Sequence, residues 1–161
     1  MSESVWDYPR PPAVVPCARR VQVELAGTKL ADSARALRVL ETSHPPTIYV
    51  PSEDVELELL SASPRPSSLC EWKGSAQYLD VEVAGRRDEA VAWRYPRPVD
   101  AYAALEGHIC FYPSRMDACW LGDERVAAQP GDFYGGWVTS DLEGPFKGAP
   151  GTRHGRVVRR K

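Results

Sequence analysis

Apolar and polar residues alternate over short stretches of this chain, and turn residues separate the stretches. At positions 21–25 every second residue is apolar, which is the pattern of a half-buried strand. Similar segments follow, with Gly, Pro, Asp and Ser between them at intervals of about 8–12 residues. The other segments that predict strands are 29–31, 37–41, 47–50, 56–60, 69–83 with an irregularity at Gly74, 90–95, 108–112 and 116–121. We therefore expect an all-β fold with mainly antiparallel strands.

One segment has the features of a short helix. Asp100 can cap its N-terminus, residues 101–106 would form it, and Gly107 follows its end. The remaining parts of the chain are organised around a single β domain. The predicted organisation is an extended, aromatic and Pro-rich arm at 1–17, the β domain at 18–130, a Gly- and Pro-rich extension at 131–152, and a basic, disordered tail at 153–161.

Composition narrows the classes of function. The net charge of −2 over 161 residues provides no general attraction to nucleic acid. No apolar run reaches the roughly 20 residues that span a bilayer, and the N-terminus lacks the features of a signal peptide. The four cysteines show no C-x-x-C spacing, so no zinc knuckle is predicted. We expect a cytoplasmic protein with no cofactor, no nucleic-acid partner and no membrane contact.

The central stretch at 69–83 holds the densest set of reactive side chains. If strand alternation runs through it, Cys70 and Trp72 lie on one face and Lys73 lies on the other. Cys70 beside an ammonium group is a candidate nucleophile, although a small buried side chain is the commoner role of a cysteine. Lys73 followed by Gly74 can hold a phosphate or carboxylate, and the alternative is a solvated lysine beside a bulge.

Two further pairs are candidates for chemistry. Glu41 and His44 lie at a turn and would act as a general acid–base pair, or His44 is a loop histidine with a structural partner. Asp80 and Glu82 lie two positions apart on a strand and can hold Mg²⁺, or they belong to a solvated strand face. No other metal ligands are predicted.

Aromatic side chains, several of them beside prolines, are numerous enough to build a cleft. A largely apolar pocket with a few convergent polar groups is the usual form of a small-molecule site. The candidate ligand-binding residues are Arg38, Tyr49, Trp72, Lys73, Tyr78, Trp93 and Tyr95, with Glu41 as a further polar anchor.

Three motifs make the chain resemble a known family. They are Cys70-x-Trp72-Lys73-Gly74-x-Ala76-x-Tyr78, Ala92-Trp93-x-Tyr95-Pro96-x-Pro98 and Gly107-His108-Ile109-x-Phe111-Tyr112-Pro113. Together they are similar to the bacterial domain of unknown function 427, which is labelled nucleotidyltransferase-like. The resemblance implies a compact, β-tent-like pair of sheets, related to the thalidomide-binding domain of cereblon. Many such relatives carry a four-cysteine zinc site, whose paired cysteines are missing here.

Three functions are compatible with these features. The first is a small-molecule-binding β domain with an aromatic-walled cleft, whose ligand is partly aromatic or amide-like, for example a nucleobase. The second is an enzyme that acts on a small, nucleotide-like substrate with Cys70 or the Glu41/His44 pair as catalytic groups. The third is a protein-interaction module or homodimer that uses the arm or the Gly-rich extension. Fold resemblance does not decide among them, because function resides in the site.

Overall fold

The computed structural model describes residues 2–70, 72–131 and 134–148, together with the backbone of a short strand pair at 152–153 and 156–157. The strands are β1 (Glu3–Ser4), β2 (Ala13–Pro16), β3 (Val21–Leu25), β4 (Thr28–Ser33), β5 (Leu37–Leu40), β6 (Thr47–Pro51), β7 (Leu60–Ala62), β8 (Ser68–Cys70), β9 (Gly74–Val83), β10 (Arg86–Arg94), β11 (His108–Phe111), β12 (Ala118–Leu121), β13 (Glu124–Arg125), β14 (Ala127–Ala128), β15 (Trp137–Val138), β16 (Leu142–Glu143), β17 (Thr152–Arg153) and β18 (Arg156–Val157). The helices of this part of the chain are short 3-10 helices at Val5–Asp7, Ser52–Asp54, Leu57–Leu59, Asp100–Leu105 and Pro113–Arg115.

Two antiparallel sheets form the body of the protein. The larger sheet has the strand order β2-β5-β6-β11-β10-β9-β7, and β8 also pairs with β9. The smaller sheet has the order β13-β12-β3-β4. Shorter pairings add β1 to β16 in parallel and β14 to β15 in antiparallel orientation. The prediction of an all-β, mainly antiparallel fold is confirmed.

The larger sheet is buried on both faces, and the two faces differ in chemistry. On one face, aliphatic side chains join a hydrophobic cluster with the smaller sheet. The residues of the larger sheet in this cluster include Ile48, Val50, Leu79, Val81, Val91 and Ile109, and those of the smaller sheet include Val21, Val23, Leu25, Cys119 and Leu121. Because side chains alternate along a strand, the intervening residues point to the opposite face.

The opposite face of the larger sheet carries aromatic side chains. Antiparallel pairing places distant parts of the sequence side by side across β9, β10, β11, β6 and β5. One paired row consists of Tyr78, Trp93, Cys110, Tyr49 and Leu37. These residues form or pack against a second hydrophobic cluster, which contains no described residue of the smaller sheet. This aromatic face is therefore covered by loops instead of a sheet.

Asp80 interrupts the apolar pattern of β9 and is nevertheless buried, with 1 % of its surface exposed. Its carboxylate accepts hydrogen bonds from the Ala90 backbone amide at 2.8 Å and from the Arg87 guanidinium at 2.7 Å. Ala90 has a φ of 51° in the irregular part of β10, a left-handed conformation that costs an L-residue roughly 1–2 kcal/mol. Glu82 is exposed but Asp80 is not, so the alternative of a solvated strand face is wrong for Asp80. Asp80 instead fixes the bulge ahead of Trp93.

Two local predictions are corrected. Residues 57–59 form a 3-10 helix instead of an alternating strand, and β7 begins only at Leu60. The chain turns at 72–73, so strand alternation does not run through the central stretch. The predicted short helix is present as the 3-10 helix Asp100–Leu105.

The N-terminal arm packs on the body and contacts the Gly-rich extension. Besides the pairing of β1 with β16, the Trp6 indole donates a hydrogen bond to the Pro145 carbonyl oxygen at 2.6 Å. The Tyr102 hydroxyl donates to the Pro12 carbonyl oxygen at 2.8 Å. Most of the tail predicted to be disordered, 153–161, lies outside the described residues.

Replacing Asp80 by alanine should lower the free energy of unfolding by about 2–3 kcal/mol, because the buried Ala90 amide loses its acceptor. Asp32→Ala is the matched control, since Asp32 pairs with Arg20 at the surface of the smaller sheet and its removal should have a much smaller effect. Urea denaturation at neutral pH measures both variants. Equal effects of the two substitutions would contradict the structural role of Asp80.

The effect of Asp80→Ala should also depend on pH. Burial alone would raise the pKa of Asp80, but the hydrogen bonds from Ala90 and Arg87 hold this pKa below its usual value. A lowered folded-state pKa stabilises the protein above the ordinary aspartate pKa of about 3.9, and the stabilisation is lost as the pH falls toward the folded-state pKa. Urea series at decreasing pH should therefore show a shrinking difference between the variant and the natural protein below about pH 4. A constant difference would refute this account.

Candidate functional site

A cleft of about 240 Å³ opens on the aromatic face of the larger sheet. Its walls come from the sheet itself, from the β8–β9 hairpin and from the segment at 129–147. The aromatic lining residues are Tyr49, Tyr78, Trp93, Tyr95, Tyr112 and Tyr134. The polar lining residues include Glu41, His44, Cys70, Lys73, Gln129 and Lys147.

Contacts among the aromatic residues fix the orientation of Trp93. The Trp93 ring centre lies 4.6 Å from that of Tyr112 and 6.2 Å from that of Tyr49, which it meets edge-on. Its Nε1–H donates a hydrogen bond to the Tyr49 hydroxyl oxygen at 3.2 Å. A Cβ atom at Gly135 would overlap the Trp93 ring, so glycine allows the extension to lie directly on the indole. Contacts within the protein therefore hold this wall in place.

Three tyrosines of the cleft remain neutral. Burial is the main reason that the pKa values of Tyr49, Tyr95 and Tyr112 lie above that of an ordinary phenol. Their hydroxyl groups stay protonated at neutral pH and can donate hydrogen bonds. The cleft thus gains donors without gaining negative charge.

Lys73 enters the cleft from the turn between β8 and β9. Gly74 has a φ of 115°, and the Val99 amide donates a hydrogen bond to the Lys73 carbonyl oxygen at 3.0 Å, so the turn is well defined. Only 6 % of Lys73 is exposed, and its ammonium nitrogen lies 5.9 Å from the centre of the Tyr95 ring. No carboxylate of the described residues forms an ion pair with Lys73.

His44 is held as a neutral imidazole with a defined tautomer. Gln129 accepts a hydrogen bond from the Gly136 amide through Oε1, so its Nε2 donates to His44 Nδ1 at 3.1 Å. The ring proton of His44 is therefore on Nε2. Burial, and next the positive charge of Lys147, lower the pKa of His44 to about 3.

The N-terminal arm and the Gly-rich extension both form hydrogen bonds with the loop that carries His44. The Ser43 amide donates to the Val5 carbonyl oxygen of the arm at 3.0 Å, and the Lys147 amide donates to the Ser43 carbonyl oxygen at 2.8 Å. Gln129 donates a second hydrogen bond to the Lys147 carbonyl oxygen at 2.9 Å. The position of the imidazole therefore depends on segments outside the two sheets.

Most of the predicted site residues lie around this one cleft. Those that line it are Glu41, His44, Tyr49, Cys70, Lys73, Tyr78, Trp93 and Tyr95. Cys70 and Lys73 were expected on opposite faces, but the turn at 72–73 directs both to the cleft. Arg38 does not face the cleft, because its neighbour Val39 lines the cleft and neighbours on a strand point to opposite faces. The Arg38 guanidinium instead pairs with the Glu3 carboxylate at 2.8 Å. Trp72 is half-buried and packs against the aromatic cluster without lining the cleft.

The candidate catalytic side chains have separate partners. The Glu41 carboxylate lies 3.8 Å from the Arg10 guanidinium, and the His44 ring is bound to Gln129. Glu41 and His44 are joined by a backbone hydrogen bond of 3.0 Å. Cys70 is half-buried at the cleft and is a free thiol, as are the other three cysteines.

The described residues contain neither a metal-binding cluster nor a membrane-spanning helix. Within the ranges that the structure describes, no group of three or more His, Cys, Asp or Glu residues is arranged to hold a metal ion. In the same ranges no helix combines the length and the apolar character needed to cross a membrane.

The segment at 129–147 contributes lining residues that the sequence pattern does not assign to the site. Among them, Tyr134 and Gly135 belong to an aromatic-Gly-Gly-aromatic motif, which is a usable signal because glycine permits close approach of the backbone to a ring. Gln129 and Lys147 have no comparable signal, since only tertiary hydrogen bonds place them beside the His44 loop.

The His44 ring should stay neutral, with its proton on Nε2, throughout the range from about pH 5 to pH 8 in which histidines ordinarily titrate. Long-range ¹H–¹⁵N NMR spectra across this range test it, and a His44→Gln variant identifies the signal. In Gln129→Glu the carboxylate cannot donate to Nδ1, so the proton should move to Nδ1 and the pKa of His44 should rise. A His44 titration midpoint near 6.5 in the natural protein would contradict the assignment.

Comparison with known proteins identifies the family of this chain. The family model of a domain of unknown function, DUF427, matches residues 13–122. That range carries the sheet strands with Tyr49, Tyr78 and Trp93, whereas the segment at 129–147 lies outside it. A comparison with curated proteins found no match. Since the family model covers more than half of the chain, and the three sequence motifs indicate the same family, this protein belongs to the DUF427 family.

Proposed function

We propose that this protein is a small-molecule-binding domain whose site is the aromatic cleft. The observation that supports this most directly is the cleft on the aromatic face, which is lined by Trp93, whose orientation is fixed by contacts with Tyr49, Tyr112 and Gly135. Preformed, mostly apolar concavities with a few polar groups are the usual sites for small ligands.

The aromatic composition of the wall suggests the shape of the ligand. Tyrosine and tryptophan rings prefer stacked or edge-on partners, so a planar molecule gains most from contact with Trp93 and its neighbours. Ligand sites commonly range from about 300 to 1,000 Å³, so a cleft of about 240 Å³ suits a molecule of one or two rings. A nucleobase or a similar planar, amide-containing compound is of this size.

Binding is better supported than acid–base catalysis. A general base works best when its pKa lies near the working pH, and the pKa of His44 is lowered to about 3, chiefly by burial. The Glu41 carboxylate faces Arg10 and has no hydrogen bond to the imidazole within the described residues. An enzymatic role would therefore have to rest on Cys70, and the Nδ1 atoms of the described histidines, His44 and His108, have other hydrogen-bond partners.

Small planar compounds should bind to this cleft and should depend on Trp93. We expect at least one of indole, benzamide and adenine to bind with a Kd of about 1 mM or tighter, measured by ligand-observed NMR and titration. Trp93→Leu should weaken that binding at least about tenfold, because the planar contact is lost. Thermal unfolding of each variant establishes that it is folded.

Trp120→Leu is the matched control for this experiment. Trp120 belongs to β12 in the smaller sheet, where its indole donates a hydrogen bond to Glu24, and it does not line the cleft. Its replacement should leave Kd unchanged. Equal losses in the two variants would place the site elsewhere, and failure of these three compounds and of planar acids to bind would refute the proposed function.

A further inference from the structure

The charged groups that line the cleft are not balanced. Lys73 and Lys147 are cations of the lining, and the lining carboxylate, Glu41, already lies 3.8 Å from the Arg10 guanidinium. Besides burial, the charges of Lys147, Arg10 and Lys73 each oppose protonation of His44, so the positive charge of all three acts on the same part of the cleft. The described lining therefore carries excess positive charge.

Lys73 is the most buried of these cations. More than nine-tenths of the residue is inaccessible to solvent, and no described carboxylate pairs with it. Because Lys73 lines the cleft, a ligand that fills the cleft has to replace the water around the ammonium group with an opposite charge or hydrogen bonds. The Tyr95 ring, 5.9 Å from the nitrogen, offers a cation–π contact near the outer limit for such interactions. The ammonium group thus lacks a strong partner within the described chain.

The neutral polar groups of the same cleft include hydrogen-bond donors. The His44 tautomer set by Gln129 carries its proton on Nε2, and the Tyr95 hydroxyl remains protonated. An anionic oxygen accepts hydrogen bonds from all such groups, whereas a cation would be repelled by the same lining.

We propose that the ligand of the cleft is an anion: a planar molecule of one or two rings whose single carboxylate or phosphate group binds the Lys73 ammonium. The inference rests on the proposed function and specifies its ligand class. The ring contacts Trp93, the anionic group lies toward the turn at 72–73, and Lys147 adds positive charge from the extension. One buried ammonium matches one anionic group in charge.

Matched acids and amides test this directly. Isothermal titration at low salt would compare benzoate with benzamide and 2-naphthoate with 2-naphthamide, and phenyl phosphate would represent the phosphate class. We expect the acids to bind at least about tenfold more tightly than the amides, because a hydrogen bond to a charged group is stronger than one between neutral groups. Tighter binding of phenyl phosphate than of benzoate would assign a phosphate, and the reverse order would assign a carboxylate.

Variants of Lys73 identify the group responsible. Lys73→Met should weaken acid binding at least about tenfold while changing amide binding by less than about threefold, and Lys73→Arg should retain much of the acid preference. Methionine replaces a buried ammonium with an apolar chain of similar length, so the fold should persist, and thermal unfolding checks this. Lys29→Met is the control, because Lys29 is exposed on the smaller sheet and pairs with Asp32.

The outcomes separate the ligand class from the proposed function. Equal binding of acids and amides, or an acid preference that survives in Lys73→Met, overturns the anion inference and leaves small-molecule binding intact. The absence of binding by every acid, with amides still bound, overturns it as well. If acids, amides, indole and adenine all fail to bind, both proposals are refuted.

Discussion

Burial of the larger sheet on both faces is the constraint on which the rest of the structure depends. Strands β6, β9, β10 and β11 supply apolar or aromatic side chains at successive positions, and strand alternation separates them into an aliphatic layer and an aromatic layer. The aliphatic layer is closed by the smaller sheet. The aromatic layer is covered by parts of the chain outside the smaller sheet, among them the β8–β9 hairpin and the 3-10 helix Asp100–Leu105. The cleft is the space that remains.

Two charged residues within this buried environment differ in their partners. Asp80 accepts hydrogen bonds from Ala90 and Arg87, so its charge is compensated inside the protein and serves the shape of β10. Lys73 has no comparable partner among the described residues, although it is buried to a similar extent. A charge that is satisfied internally serves the fold, whereas a lysine that lines a cavity without an ion pair in the described chain is the basis of the anion proposal.

Much of the fold was accessible from the sequence, because alternation is a local property. The predicted strand at 21–25 coincides with β3, and the aromatic residues proposed for the cleft came from strands whose pairing then aligned them. The 3-10 helix at 57–59 was missed because its alternating leucines and glutamates match a strand pattern. The burial of Asp80 and the approach of the segment at 129–147 depend on hydrogen bonds between residues that are not neighbours in the sequence, and such bonds leave no periodic trace.

Gly135 has a consequence for how such a site can diversify. The sheet that carries Trp93 lies within the range matched by the family model, whereas the segment that covers the indole follows it. In the same segment Trp137 is 1 % exposed and belongs to the aliphatic core, so this part of the cover is tied to folding. Substitutions around Gly135 that keep Trp137 would alter the width and charge of the cleft while the core kept its packing, much as antibodies vary their loops on a constant framework.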